Sequence, residues 1–316
     1  MPTSITRREF VKDATLASAA TLGWTAAAAE TAGAAPPPLP HSQESLPLGK
    51  IGNQEFSRLM LGGNLISGYS HSRDLPYVAN LMRRYNTEGK ILETLELAET
   101  HGINAINSAV WDDNSFLQKH WKRGGKMKWI AQALPGEKGE LTQFQQAIDQ
   151  GAVAVHIQGH GAETLVEAGK TEALAKIVEF VKARGVLAGI GAHWLDVVVQ
   201  CEKAKVNPDF YQKTLHTHQY RSAPRPDETG YLGAWDNSWC NHPDEVVDVM
   251  WAVKKPWIAF KVMAAGAIPP RAGFQFAFNS GADFVLAGMF DWQVTEDVKT
   301  VKEVLANVSR TRPWMA

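Results

Sequence analysis

Ala152-Val153-Ala154-Val155-His156-Ile157-Gln158-Gly159-His160 is the stretch whose alternation decides the fold. In an extended chain successive side chains point to opposite faces, so Val153, Val155 and Ile157 share one face while Ala154, His156, Gln158 and, one step further, His160 share the other. Branched apolar residues on one side with small and polar ones on the other suit the wall of a barrel. The apolar side meets an outer layer of helices and the other side faces the interior. Gly151 just ahead is a helix-stop signal, and residues 171–184 behind it have helical spacing, so the strand lies between two helices.

Working outward, the same unit repeats. Strands are expected at residues 58–62, 103–107, 129–133, 153–157, 186–190, 210–215, 258–262 and 284–286, with amphipathic stretches at 90–101, 142–150, 171–184, 195–204, 243–253 and 271–279. Gly102, Gly151, Gly185 and Gly281 stand where helices should end. Eight strand–helix units over roughly 270 residues have the size of a (β/α)8 TIM barrel, an α/β fold expected to occupy residues 48–316. An open doubly wound sheet would carry a glycine-rich phosphate fingerprint after its first strand, and Gly62-Gly63-Asn64 is not one. Two long segments, 64–89 and 219–242, follow expected strand ends on the face where barrel sites are built; they read as lids or binding loops.

The ends of the chain and its composition narrow the setting. Thr6-Arg7-Arg8-Glu9-Phe10-Val11-Lys12 matches the twin-arginine export pattern, followed by a mild alanine-rich stretch from 14 to 29 that is too short and too weakly apolar for a permanent span. Residues 1–35 are read as a signal peptide and 36–47, with Pro36-Pro37-Pro38-Leu39-Pro40, as a linker. The expected location is periplasmic or extracytoplasmic, with the twin-arginine translocase as partner during export and no stable membrane insertion. A net charge of -1 gives no electrostatic case for nucleic acid. Eleven tryptophans are many for 316 residues; they read either as core or as faces for stacking a sugar ring. Cys201 and Cys240 match no zinc or redox spacing.

Reading each strand by parity places Asn64, Asn107 and Gln132 on the inner side at the ends of the first three strands, and His156, Gln158 and His160 on the fourth. His193 ends the fifth strand, and His216 and His218 end the sixth above Thr214. Ala259 and Lys261 face inward on the seventh, with Ile258, Phe260 and Val262 outward. A single inward histidine such as His156, the deepest of them, reads first as hydrogen-bonded core. His160, His193 and His218 end three consecutive strands roughly 5 Å apart, a spacing at which their imidazoles could share a divalent ion such as Zn, Mn, Fe or Ni. No Asp or Glu ends strands four to seven. Lys261 is a possible acid or base, with a hydrogen-bonding role inside the barrel as the alternative. The expected catalytic residues are Lys261, His156 and His160. The expected substrate contacts are Asn64, His71, Asn107, Gln132, Gln158, Trp235 and Trp239, with Tyr220 and Tyr231 completing an aromatic lid.

Leu48-Gly49-Lys50-Ile51-Gly52, Ser57-Arg58-Leu59 and Leu61-Gly62-Gly63 resemble the opening of aldo/keto reductases, and His101-Gly102-Ile103-Asn104 and residues 254–266 are similar to later parts of that family. The resemblance implies a TIM barrel and an NADP cofactor. It also implies a tetrad of Asp, Tyr, Lys and His, but Asn107 stands at the Asp position, Asp112 at the Tyr, Gln132 at the Lys, and His160 one residue out of register. Without the Tyr and Lys no acid of suitable pKa protonates a carbonyl after hydride arrives. The chain also resembles a group of exported bacterial proteins carrying Gly62-Gly63-Asn64, Ser70-His71 and Lys261-Val262-Met263-Ala264-Ala265-Gly266. Three functions follow as expectations. The first is a non-redox lyase, isomerase or hydrolase acting on a small polar substrate such as a sugar or keto-sugar. The second is an NADP-dependent reductase with an altered proton donor, and the third a non-catalytic sugar-binding barrel.

Overall fold

The computed structural model of the chain describes residues 46–224 and 237–316, so the expected signal peptide and the lid residues Tyr231 and Trp235 lie outside the described residues. Eight parallel strands close on themselves: β3 (Leu59–Gly62), β4 (Ala105–Ala109), β5 (Lys128–Ala133), β6 (Ala154–Ile157), β7 (Leu187–Ala192), β8 (Phe210–Thr214), β9 (Trp257–Phe260) and β10 (Phe284–Gly288), with β10 paired back to β3. Each coincides with a stretch expected from alternation, its ends shifted by no more than two residues. The helices are α1 (Asn64–Ser67), α2 (Tyr77–Tyr85), α3 (Glu88–Thr100), α4 (Ser115–Lys122), α5 (Thr142–Asp149), α6 (Gly159–Glu167), α7 (Thr171–Lys182), α8 (Leu195–Lys203), α9 (Pro243–Ala252), α10 (Pro270–Asn279) and α11 (Asp291–Ala306). No helix among the described residues is long and apolar enough to cross a membrane.

Two apolar layers follow from strand parity. Leu61, Ile106, Trp129, Val155, Ile190, Tyr211, Ala259 and Val285 face outward and pack with helix residues such as Leu95, Phe144, Ile177 and Phe274. Met60, Ala105, Ile130, Ala154, Phe210, Ile258 and Phe284 fill the lower interior. This corrects the expected parity of the seventh barrel strand: Ile258 and Phe260 point inward and Ala259 outward.

Below the barrel lies a feature the alternation did not reveal. β1 (Leu48–Ile51) and β2 (Gln54–Ser57) form an antiparallel hairpin whose Ile51 and Phe56 plug the interior layer. Packing begins even earlier, since Leu46 is already buried. Beside the plug, the Asp283 carboxylate accepts from Arg312 Nη1 (2.7 Å), the Trp257 N–H (3.0 Å) and the Met315 N–H (2.8 Å), with Arg310 at 3.5 Å. Arg312 is fully buried and also donates to the carbonyls of Met250, Gly281, Val253 and Lys255. Arg58 reaches the Asp283 carbonyl and the C-terminal Ala316. Cys201 and Cys240 are buried as free thiols.

Candidate functional site

At the opposite end the strands open into a cavity of about 840 Å³. Its floor is polar because the inward positions above the apolar layer are Asn107, Gln132, His156 and Gln212. His156 is buried; its Nδ1 donates to the Ile157 carbonyl (3.1 Å), which leaves Nε2 to accept from the Asn107 amide (3.0 Å). Burial pushes its pKa down to about 4. With both nitrogens engaged, His156 ties the cavity floor together.

The chain leaves β3 through Gly63, whose N–H donates to the Asn107 carbonyl at 2.7 Å. A Cβ there would sit 2.7 Å from that same oxygen, so only glycine lets Asn64 reach the mouth. Seven residues on, His71 adopts a left-handed backbone (φ 48°), and its Nε2 receives the Asn64 amide at 3.2 Å and Lys261 Nζ at 2.9 Å. Two donors on one nitrogen put the ring proton on Nδ1. Burial, then the Lys261 charge, push the His71 pKa down to about 3.

Lys261 reaches the cavity although its strand parity was misread. β9 ends at Phe260, and a left-handed turn at Lys261 itself (φ 58°) swings the side chain back over the mouth. Its ammonium lies 3.9 Å from the Trp239 ring centroid, an attraction that adds to the His71 contact. The Trp239 ring also packs against His193 (4.7 Å) and His71 (5.4 Å). His216 holds this tryptophan from behind: Nδ1 donates to the Thr217 carbonyl, and Nε2 accepts the N–H groups of Trp239 (2.9 Å) and Cys240 (3.1 Å). Burial pushes the His216 pKa down to about 4.

The carboxylate missing from the strand ends comes from a helix. Gln158 caps α6 by accepting the Gly161 N–H, and a Cβ at Gly159 would lie 2.8 Å from the His193 ring, so α6 starts directly against that imidazole. One turn in, the buried Glu163 uses Oε1 to accept the His193 N–H (2.6 Å), the Trp194 N–H (3.0 Å) and His193 Nδ1 (3.0 Å). Burial acts to raise the Glu163 pKa, but the His193 side chain and the two N–H donors outweigh it and keep the group ionised below its ordinary value. His193 itself is lowered, by burial first and against the pull of Glu163. It is therefore neutral near pH 7, with its proton on Nδ1 toward Glu163 and a lone pair on Nε2, on a side chain that lines the cavity. Glu163 was not among the residues expected from strand ends; its only trace in the sequence is its place one turn into the helix that follows His156.

The three-histidine ion site is not formed. The helix begins at Gly159, so strand parity stops there and His160 stands exposed at the rim. His218 turns away, its Nε2 donating to the Cys240 carbonyl at 2.6 Å. Among the described residues no group of three or more His, Cys, Asp or Glu is arranged to hold a metal ion. Of the expected substrate contacts, Asn64, His71, Asn107, Gln132, Gln158 and Trp239 line the cavity. Tyr69 and Trp111 also line it, and Asp112 is held beside them by Ser67 and Tyr69.

No family model and no curated protein matches the chain. Among solved structures, it is similar to a Pseudomonas aeruginosa protein assigned as an aldo-keto reductase, at 16% identity over 83% of this chain and 98% of that one, with a TM-score of 0.55. It is also similar to a truncated 3-deoxy-D-arabino-heptulosonate 7-phosphate synthase from Thermotoga maritima, at 11% identity over 84% and 96% of the two chains, with a TM-score of 0.50. At such identities the likeness establishes the architecture. The chain is a (β/α)8 TIM barrel with aldo-keto reductase-like structural neighbours.

Proposed function

We propose that this protein is a non-redox enzyme, an isomerase or lyase, that moves protons on a small neutral carbonyl substrate, a sugar or keto-sugar. The observation that carries the reading is the pairing of a Glu163-oriented His193 with the Lys261 ammonium around one tryptophan ring. His193 Nε2 takes a proton from the carbon beside the carbonyl, and the electron pair moves onto the carbonyl oxygen. Lys261 gives a proton to that oxygen, forming an enediol. In isomerisation the second hydroxyl returns a proton to Lys261 while His193 protonates the former carbonyl carbon, and in elimination His193 protonates the leaving oxygen. His71, neutral, accepts one Lys261 N–H and aims the ammonium. Trp239 offers a face for the C–H side of a sugar, and the amides of Asn64, Gln132 and Gln158 suit hydroxyl groups.

The nicotinamide alternative has less behind it. No arginine and no lysine besides Lys261 lines the cavity among the described residues, which leaves little to meet the phosphates of a dinucleotide. Asn107, Asp112 and Gln132 stand at the reductase positions. The extracytoplasmic setting belongs to the same proposal and rests on the Arg7-Arg8 pattern alone.

Incubating the purified protein with neutral aldoses and ketoses in D₂O tests this. Deuterium should enter the carbon next to the carbonyl, and both His193→Ala and Lys261→Met should lower the rate about 10²–10⁴-fold. Saturable binding with no exchange would favour the sugar-binding barrel, and NADPH oxidation by aldehydes would favour the reductase.

A further inference from the structure

Among the described residues Lys213 is a fully buried lysine, and no step above uses it. It lies on β8 on the side facing the helices, not the cavity. Its ammonium has three hydrogens and three acceptors: the His193 carbonyl at 2.7 Å, the Thr214 carbonyl at 3.0 Å and Thr214 Oγ1 at 2.7 Å. The Thr214 hydroxyl in turn is shared between the carbonyls of His193 (3.1 Å) and Trp239 (3.2 Å). On the other side of the same peptide, Glu163 takes the His193 backbone N–H and the imidazole Nδ1. The residue is thus flanked by an anion at its N–H and a cation at its C=O.

We propose that Lys213 is a positioning residue for the cavity, gripping His193 against Glu163 and, through Thr214, fixing the Trp239 ring beside it. A neutral side chain of the same length would leave the His193 carbonyl without its charged donor. It would also leave Glu163 as a buried carboxylate with one fewer compensating charge. That imbalance pulls a proton onto His193, the group that must stay neutral to act as a base. The charged and titratable groups around this imidazole are Glu163 from α6, Lys213 from β8, Lys261 after β9 and His71 after α1; Cys240 lies near Lys213. Burial pushes the Lys213 pKa down to about 8, so the grip is present at neutral pH and loosens above it.

The inference rests on His193 being the working imidazole, yet its test needs no substrate. Long-range ¹H–¹⁵N correlation spectra of histidine-labelled protein at pH 7 should show wild-type His193 as a single neutral Nδ1–H tautomer. In Lys213→Met that signature should be lost to imidazolium or a tautomer mixture, and the Trp239 indole cross-peak should move. In Thr214→Val, which keeps the charge, the indole peak should move while the His193 signature stays. A folded Lys213→Met protein with the wild-type His193 signature overturns the proposal. If Lys213→Met does not fold, an unmoved Trp239 peak in Thr214→Val overturns it instead. A protein inert in the deuterium-exchange assay but showing these spectral changes would sink the proton-transfer function and leave the grip standing.

Discussion

Both ends of this barrel bury polar groups, but they satisfy them by opposite means. At the lower end Asp283 is matched by Arg312 and Arg310, and the remaining guanidinium hydrogens of Arg312 go to backbone carbonyls. Charge meets charge, and the hairpin residues Ile51 and Phe56 keep water away. At the mouth the half-buried imidazole of His71 and the buried ones of His156 and His216 are held neutral by donors from Lys261, Asn107 and backbone N–H groups. The lower end is built so that nothing need change its protonation. The mouth is built from groups whose protonation decides their geometry, and it is the end with a cavity. The contrast agrees with the general division of such barrels into a stability face and a site face.

The comparison breaks most readily at the lower end. Asp283→Asn keeps the shape but leaves two buried guanidinium groups without their carboxylate. A loss of about 3–5 kcal/mol is expected, read as a fall in melting temperature on the order of 10 °C. The His193 tautomer in the folded fraction should be unchanged. A melting temperature within a degree or two of wild type would mean that apolar packing alone holds that end.

Acid should act on the mouth first. The ordinary histidine pKa is about 6.5; in the fold it is about 3 for His71 and about 4 for His156 and His216. Folding favours the neutral form, so the stability these rings add is complete above pH 6.5 and is withdrawn as the pH falls toward 4 and then 3. At about 1.4 kcal/mol per pKa unit, each ring can withdraw a few kcal/mol once protonated. Near-UV circular dichroism from the Trp239 environment should decay across this window before the far-UV signal does. Coincident loss of both signals would erase the distinction between the ends.

The smallest effect belongs to His160. Exposed at the rim, it should be replaceable by Ala with under about 0.5 kcal/mol of stability lost and less than a twofold change in exchange rate. A larger loss of activity would restore it as a site residue.

How much of this the sequence revealed depends on which rule each residue obeys. The eight barrel strands were legible because period-two alternation and glycine stops are local signals, and Asn64, Asn107, Gln132 and Gln158 came with them. The hairpin was not, because Leu48–Ile51 and Gln54–Ser57 are only four residues each and become strands only by pairing with each other under the barrel. His160 lines the cavity only from its exposed rim, because strand parity does not carry past the point where Gln158 caps a helix. Lys261 lines the cavity by a route that parity did not give: the strand stops before it, and a left-handed residue, rarely foreseeable without glycine, redirects the side chain. Glu163 was missed because its partner lies thirty residues away on the next strand, a link no local pattern carries.

The plug of Ile51, Phe56 and the interior layer has a kinetic meaning as well as a structural one. Among the described residues the lower end is filled, and the cavity opens at the mouth, where Tyr69 and Trp239 line it. Under the proposed function, product and reactant share this one cavity, so accumulated product should compete with reactant and slow turnover without any dedicated control site.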